Sequence, residues 1–589
     1  MSRYAPQKSR GRAGRSGAGA AARAAACALL LGICAAPAAA AKAPAAAPLP
    51  ELAPRSRAAL AEAAPRETAA PTPLAQRLEQ LVIGGFSAER PTPVSDGEVA
   101  SAIRRAFAGR RLSDAAGRDA GSPVKPRSGK VGFVLADPRR SAILERRFAD
   151  ERMIPASVAK APTALYALDA LGPEHRFETR LVMDGALSGG VLKGDLYLVG
   201  GGDPTLDIRD LGELAEAAAQ AGLIRVDGRF FYDDTALPRM EAITPSQPPQ
   251  ASYNPALSGL MLNFNRVRVL WTRLQDGRHQ IDVRSSASKN ALEIDHVAAV
   301  AVPSGAAATG FSWSLAPRIV GPGLREGARE LWRISARLLN SRGGRWMPVR
   351  RPGAFAAAVF QEKAHQAGVS LPPPQRRAAP ASAQPLATHL SRPLPDILRG
   401  MLRFSTNLTA EAVGLAASRA RGLERLELER SSALMSSWAD TRFGILGSTA
   451  EADAAPSMFR NHSGLSVESR LTPRAMAAIL IEAARNKESF DAFFELLPRY
   501  RLRGAPKGVV VRAKTGTVYY GRGLAGYLQC PSGRRLAFAY LHSDIEGRAA
   551  FDAKYDPASG GRPRGAGGWL ARARDIEKKL LIRWSKAHC

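Results

Sequence analysis

Three short motifs, far apart and in a fixed order, constrain this chain more than any other feature. They are Ser157-Val158-Ala159-Lys160, Ser405-Thr406-Asn407 and Lys514-Thr515-Gly516. Ser-x-x-Lys also occurs at Ser122/Lys125 and Ser286/Lys289, and Ser-x-Asn at Ser252/Asn254 and Ser288/Asn290, whereas Lys-Thr-Gly occurs once. Context selects among the copies. Ser157 follows Pro155-Ala156 and opens an apolar helical pattern that Leu165, Leu168 and Leu171 carry to a stop at Gly172-Pro173. A helix there puts Lys160 one turn on and on the same face. Its amine then reaches the serine oxygen, and burial beside polar groups lowers its pKa toward that of a base. The helix N-terminus also aims N–H groups and the positive dipole end at developing negative charge. Ser122 stands before a proline in a basic loop and Ser286 in a polar turn, so neither offers that geometry.

Ser405 and Asn407 fall between the helical patterns Leu394–Leu402 and Thr409–Ala417, in a loop that presents hydroxyl and amide to a cleft. Lys514 lies on a predicted strand that continues through Gly516, where a missing side chain lets a substrate backbone approach. None of the eight histidines stands where a base is needed. Pro162, early in the first helix, removes one backbone donor.

The N-terminus bears on compartment. Arg3, Lys8, Arg10, Arg12, Arg15 and Arg23 precede an apolar stretch, Ala24 to Ala36, and an Ala-rich exit through Ala41. That order reads as a secretory signal peptide over residues 1–41. The apolar stretch is too short to span a bilayer. Cleavage removes the six basic residues and takes the formal charge from +30 to +24. Export to the periplasm turns that charge toward an anionic wall or a carboxylate-bearing substrate and away from nucleic acid. It also permits Cys530 and Cys589 to pair, although sequence leaves their geometry open.

Residues 42–75 read as a flexible Ala/Pro-rich leader. A hairpin is predicted from Val131–Leu135 and Ser141–Phe148. Between Arg180 and Arg392 short strands such as Gly194–Val199 and Val226–Tyr232 alternate with Gly- and Pro-rich turns. Beyond Gly508 the runs Val509–Thr515, Leu524–Leu528 and Leu536–His542 form a predicted antiparallel meander. Trp569–Trp584 then reads as a basic amphipathic helix packed on it, with peripheral membrane contact as the alternative.

The motif set, together with "PASVAKAPTALYALDALG", "GDLYLVGGGDPTL", "LNFNRV", "MLRFSTNLTAEAVG", "SGLSVESRLTP" and "KTGTVYYGRGLAGY", resembles the low-molecular-weight class C penicillin-binding proteins. These are the type-4 D-alanyl-D-alanine carboxypeptidase/endopeptidases, and the resemblance spans about residues 95–589. Ser405 stands 248 residues beyond Ser157, room that simpler beta-lactamases lack. The resemblance therefore implies an α+β fold: a transpeptidase-like domain in two parts, 76–180 and 393–589, split by two smaller strand-rich domains over 181–392. It implies that Ser157 is the acylated nucleophile and Lys160 its base. Ser405 would relay the proton to the leaving D-alanine, and Asn407 would bond a substrate amide. Lys514 would order the proton network, Thr515 and Thr517 would hold the terminal carboxylate, and the N–H groups of Ser157 and Thr517 would form the oxyanion hole. It implies peptidoglycan peptides as substrates, beta-lactams as inhibitors, and no metal or organic cofactor.

Two departures touch specificity. Val467 replaces an arginine that the family often carries for the stem-peptide diamino acid, and Pro238 replaces an aromatic beyond the matched Asp234. The rival readings are a beta-lactamase or esterase on the same scaffold and a non-catalytic wall-binding protein.

Overall fold

A computed structural model describes residues 118–119, 129–285, 296–303, 310–321, 324–445, 458–484, 487–556 and 563–589. The expected signal peptide and leader lie outside the described residues.

The two ends of the described chain share one six-stranded sheet. Its order is Arg118–Asp119, Ala142–Arg147, Lys130–Asp137, Arg535–Ser543, Gly521–Gln529 and Val510–Val518. The central join is antiparallel, with Val134 opposite Ala539. Lys130–Asp137 is buried along nearly its whole length, which is why it reads as a continuous apolar run rather than an alternating one. The predicted hairpin and meander are both found in this sheet, each within a few residues of its expected bounds.

Each face of the sheet is covered by helices. On one face the helices Lys160–Leu171, Leu394–Phe404, Asn407–Ala420 and Pro473–Ala483 bury Leu165, Leu398, Val413 and Leu480 against Ala525 and Tyr527. On the other, the helix Ala566–Ala587 buries Ile576, Leu580, Leu581 and Trp584. Burying a large apolar side chain of this kind contributes about 1.5–3 kcal/mol. The Trp584 ring lies 5.5 Å from Phe133 and 5.9 Å from Phe538. The end of this helix is tied down twice. Cys530 and Cys589 form a disulfide with Cα atoms 5.1 Å apart, and Glu145 receives Trp584 Nε1 at 3.1 Å and pairs with His588 Nε2 at 2.7 Å.

The chain leaves this unit and returns to it side by side. Phe177 N donates to Ser391 Oγ at 2.8 Å, and Leu394 N to the His175 carbonyl at 2.9 Å. Between these crossings stand a mixed sheet that includes Val191–Gly200, Phe230–Asp233 and Glu178–Ser188, and two three-stranded sheets. The segment is less purely β than its sequence suggests. Helices Ile208–Gln220 and Pro352–Gln366 pack on the mixed sheet through Leu211, Leu214, Phe355 and Val359. The first starts at a reciprocal cap: Asp207 accepts from Arg209 N and Asp210 N, while Asp210 accepts from Asp207 N. Leu237, Leu257 and Met261 of this segment pack on Leu408, Ala412 and Leu415, so the insertion grips the helix that Asn407 begins.

Candidate active site

Two backbone features set the geometry of the Ser157 turn. Ala156 takes φ 49°, a conformation uncommon for a side-chain-bearing residue, and Ala156–Ala159 form one turn of 3-10 helix before the α-helix starts at Lys160. Pro162 follows this change of winding. Its ring removes the donor that α-helical continuity would aim at the Val158 carbonyl. Gly464 closes against the turn: a Cβ there, at φ +70°, would lie 1.9 Å from the Ala156 oxygen.

The second motif sits at a helix junction. Ser405 ends Leu394–Phe404 in the left-handed conformation, φ 56° and ψ 38°. Asn407 is therefore the first residue of the next helix, not a loop residue, and its amide is held rigidly. The third motif lies on the edge strand Val510–Val518. A Cβ on Gly516 would meet the Pro155 oxygen at 2.6 Å, Ser157 N at 2.9 Å and Val158 N at 3.0 Å. The glycine serves the fit between this strand and the Ser157 turn.

These three pieces converge on Lys160. Its Nζ lies 3.0 Å from Ser157 Oγ, 2.7 Å from Asn407 Oδ1 and 2.7 Å from the Ser463 carbonyl. Asn407 Nδ2 donates to the Tyr253 carbonyl at 2.8 Å, which fixes the amide with its oxygen toward Lys160. Lys514 Nζ donates to Ser405 Oγ at 2.9 Å and to the Thr515 carbonyl at 2.7 Å. Lys160 is fully buried. Burial first, then repulsion from Lys514, holds its ammonium pKa well below the ordinary value, with Glu411 acting in the opposite direction. Burial and the nearby Arg522 pull Lys514 down to about 7.

Ser157, Ser405, Asn407 and Thr517 line an open cleft of about 560 Å³, with Lys160 and Lys514 buried behind the two serines. Tyr253, Tyr519, Tyr520, Arg548 and Trp569 form its outer wall. Thr515 is half-buried and does not line it. Asp234 does not line the cleft: it is buried in the inserted segment, where Arg376 Nε reaches Oδ1 at 2.7 Å and Arg239 Nε lies 3.6 Å from Oδ2. Val467 offers its carbonyl to Arg470.

Glu411 escaped sequence reading as a site residue. It is fully buried and accepts from His462 N at 2.9 Å and Ser463 N at 3.1 Å, aligning the carbonyl that Lys160 meets. A carboxylate four residues beyond Asn407, on an otherwise Ala-rich helix, was the available signal. His462 lies beside it, its pKa pushed down to about 3 by burial, with Nε2 2.7 Å from Ser431 Oγ. It is thus neutral and turned away from Ser157.

A profile of the D-Ala-D-Ala carboxypeptidase 3 (S13) family matches residues 124–558. The D-alanyl-D-alanine carboxypeptidase of Actinomadura sp. (strain R39) is 28% identical over 446 residues, covering 71% of this chain and 78% of that protein. The D-alanyl-D-alanine carboxypeptidase DacB of Haemophilus influenzae is 24% identical over 463 residues, covering 72% and 88%. In fold, the chain matches the crystal structure of penicillin binding protein 4 (dacB) from Haemophilus influenzae with a TM-score of 0.59. That match is at 21% identity and covers 77% of this chain and 97% of the other. The expected α+β penicillin-binding architecture is therefore the one observed. With the family profile matched over most of its length, and the three motifs falling inside the match, the chain belongs to the D-Ala-D-Ala carboxypeptidase 3 (S13) family of serine peptidases.

Proposed function

We propose that this chain hydrolyses D-alanyl-D-alanine peptides of peptidoglycan, as carboxypeptidase and endopeptidase, through an acyl-enzyme on Ser157. One observation carries the assignment of roles. A neutral amine has two N–H donors and one lone pair, and Lys160 Nζ has two carbonyl acceptors, Asn407 Oδ1 and Ser463 O, each at 2.7 Å. Those two take the N–H groups and leave the lone pair for the Ser157 hydroxyl at 3.0 Å. Burial favours that uncharged state.

Ser157 Oγ attacks the carbonyl carbon of the penultimate D-alanine as its proton passes to Lys160. The tetrahedral oxyanion is met by the N–H groups of Ser157 and Thr517. Collapse breaks the amide bond, and the proton taken up by Lys160 is relayed through Ser405, whose hydroxyl Lys514 holds, to the D-alanine nitrogen, which leaves Lys160 neutral again. Water, deprotonated by the same base, then attacks the acyl carbon and releases the shortened peptide with Ser157 restored. Asn407 and Thr517 border the cleft where the substrate backbone and terminal carboxylate would lie, and Thr515 and Gly516 set the strand beside it. Asp234 belongs in this scheme only if the substrate reaches the inserted segment.

Work in the periplasm is supported by the basic, then apolar, then Ala-rich N-terminal sequence and by the Cys530–Cys589 disulfide, which suits an oxidising compartment. Among the described residues no helix is long and apolar enough to cross a membrane.

Incubation with a fluorescent penicillin, followed by peptide mass mapping, tests the reading. A stable adduct is expected on the peptide that contains Ser157. No adduct from folded protein that leaves the drug intact would overturn it in favour of wall binding, and rapid drug turnover would favour a beta-lactamase. A pH profile tests the surroundings of the base. Acylation should rise with pH as Lys160 loses its proton. Glu411 raises that pKa, so Glu411→Gln should move the acid limb to lower pH; an upward shift would contradict the electrostatic arrangement.

A further inference from the structure

We infer that Arg522 and Glu577 are positioning residues for acyl transfer, forming a buried fork that holds Gly516 and Thr517 against the Ser157 turn from the far face of the sheet. This rests on the Ser157 acyl-enzyme reading.

Arg522 is out of character with its strand. From Gly521 to Leu528 this strand is otherwise small or predominantly apolar, and buried, and Arg522 lies opposite Thr517 of the edge strand. A buried guanidinium must be paired, and every arm of this one is used. Nε and Nη2 reach the two oxygens of Glu577 at 2.7 and 2.8 Å, while Nη1 donates to Thr517 Oγ1 at 2.8 Å and toward the Gly516 carbonyl at 3.4 Å. Tyr500 donates its hydroxyl to Glu577 at 2.8 Å. The side chains of Arg522 and Glu577 are 6% and 0% exposed, so solvent does not screen the pair.

A pair with a purely structural role could be replaced by apolar side chains of similar volume at little cost. This one spends its remaining N–H group on the segment beside the nucleophile. That segment needs an anchor. Val510–Val518 is the last strand of its sheet among the described residues, and the bridge Arg499–Arg512 supports only its other end. Glu577 is itself well placed to anchor. Its helix is packed on the sheet through Ile576 and Leu580 and fixed at its end by the disulfide and by Glu145. The guanidinium charge also helps keep the Lys514 pKa low. The fork therefore joins the C-terminal helix to both the backbone and the electrostatics of the cleft.

The test is acylation by fluorescent penicillin, with the non-covalent binding constant resolved from the first-order acylation constant. Arg522→Met/Glu577→Leu removes both charges together and so avoids stranding one. Its acylation constant should fall about 10- to 100-fold through misplacement of Thr517, with the binding constant changed less than about threefold. Arg522→Lys keeps a charge but not the fork, and should not restore the rate. A structural role alone would lower the melting temperature and the fraction labelled, not the constant of the folded molecules. If the double variant does not fold, Glu577→Gln, which conserves shape, is read in the same way. Folded variants acylating within twofold of the unaltered protein would overturn this inference and leave the Ser157 reading standing. Absence of a Ser157 adduct in the unaltered protein would overturn both.

Discussion

Lys160→Met is expected to leave a folded protein that no longer acylates at a useful rate. The side chain is completely buried, and methionine fills a similar volume without a group that must be dehydrated. Asn407 Oδ1 and the Ser463 carbonyl lose a donor, at about 1–3 kcal/mol for each acceptor left unsatisfied. Removal of a fully buried amine offsets part of that cost, so melting should move by only a few degrees. The kinetic effect is of another size. Ser157 Oγ keeps its place but has no lone pair to take its proton, and loss of a positioned base slows such a step by about 10²–10⁴-fold. Lys160→Arg should not rescue it, because guanidinium stays charged and cannot accept. Acylation of Lys160→Met within tenfold of the unaltered protein, with a normal melt, would remove Lys160 from the role of base.

What sequence could and could not reveal divides along a physical line. Ser157 and Lys160, three residues apart on one turn, are a local relation that helical geometry makes legible. The hairpin and meander were legible for the same reason: strand patterning and turn residues are short-range signals. The insertion was visible as an interval, but its short strand patterns and Gly- and Pro-rich turns made it read as strand-rich and obscured Ile208–Gln220, although its Asp207…Asp210 cap was present. Relations between distant segments left no such trace. Arg522 and Glu577 are 55 residues apart on different elements, and nothing in either neighbourhood announces the other. Asp234, assigned by likeness alone, is paired with Arg376 and Arg239, residues far from it or unremarkable in the sequence pattern. The left-handed turns at Ala156 and Ser405 are likewise properties of the assembled site, since neither residue favours that conformation in isolation.

Gly516→Ala should be nearly as damaging as loss of the base, through one added methyl group. The three atoms closest to the new Cβ, at 2.6 to 3.0 Å, are main-chain atoms of Pro155, Ser157 and Val158, with no flexible side chain among them. Relief requires either the edge strand or the Ser157 turn to move. The turn is pinned on its other side, where Gly464 sits against the Ala156 carbonyl, so the strand must give. Overpacking of this kind costs about 1–3 kcal/mol. A shift of about 1 Å between nucleophile and oxyanion donors lowers a rate about 10²-fold. Acylation by fluorescent penicillin should therefore drop by about that factor in protein that still melts cooperatively. Gly400→Ala is the matched control. It makes the same chemical change within helix Leu394–Phe404, where an added Cβ meets nothing within 4 Å. It should raise stability by about 0.5–1 kcal/mol and leave acylation unchanged. Equal acylation by both variants would show that the strand and the Ser157 turn tolerate separation, and that the site does not depend on their contact.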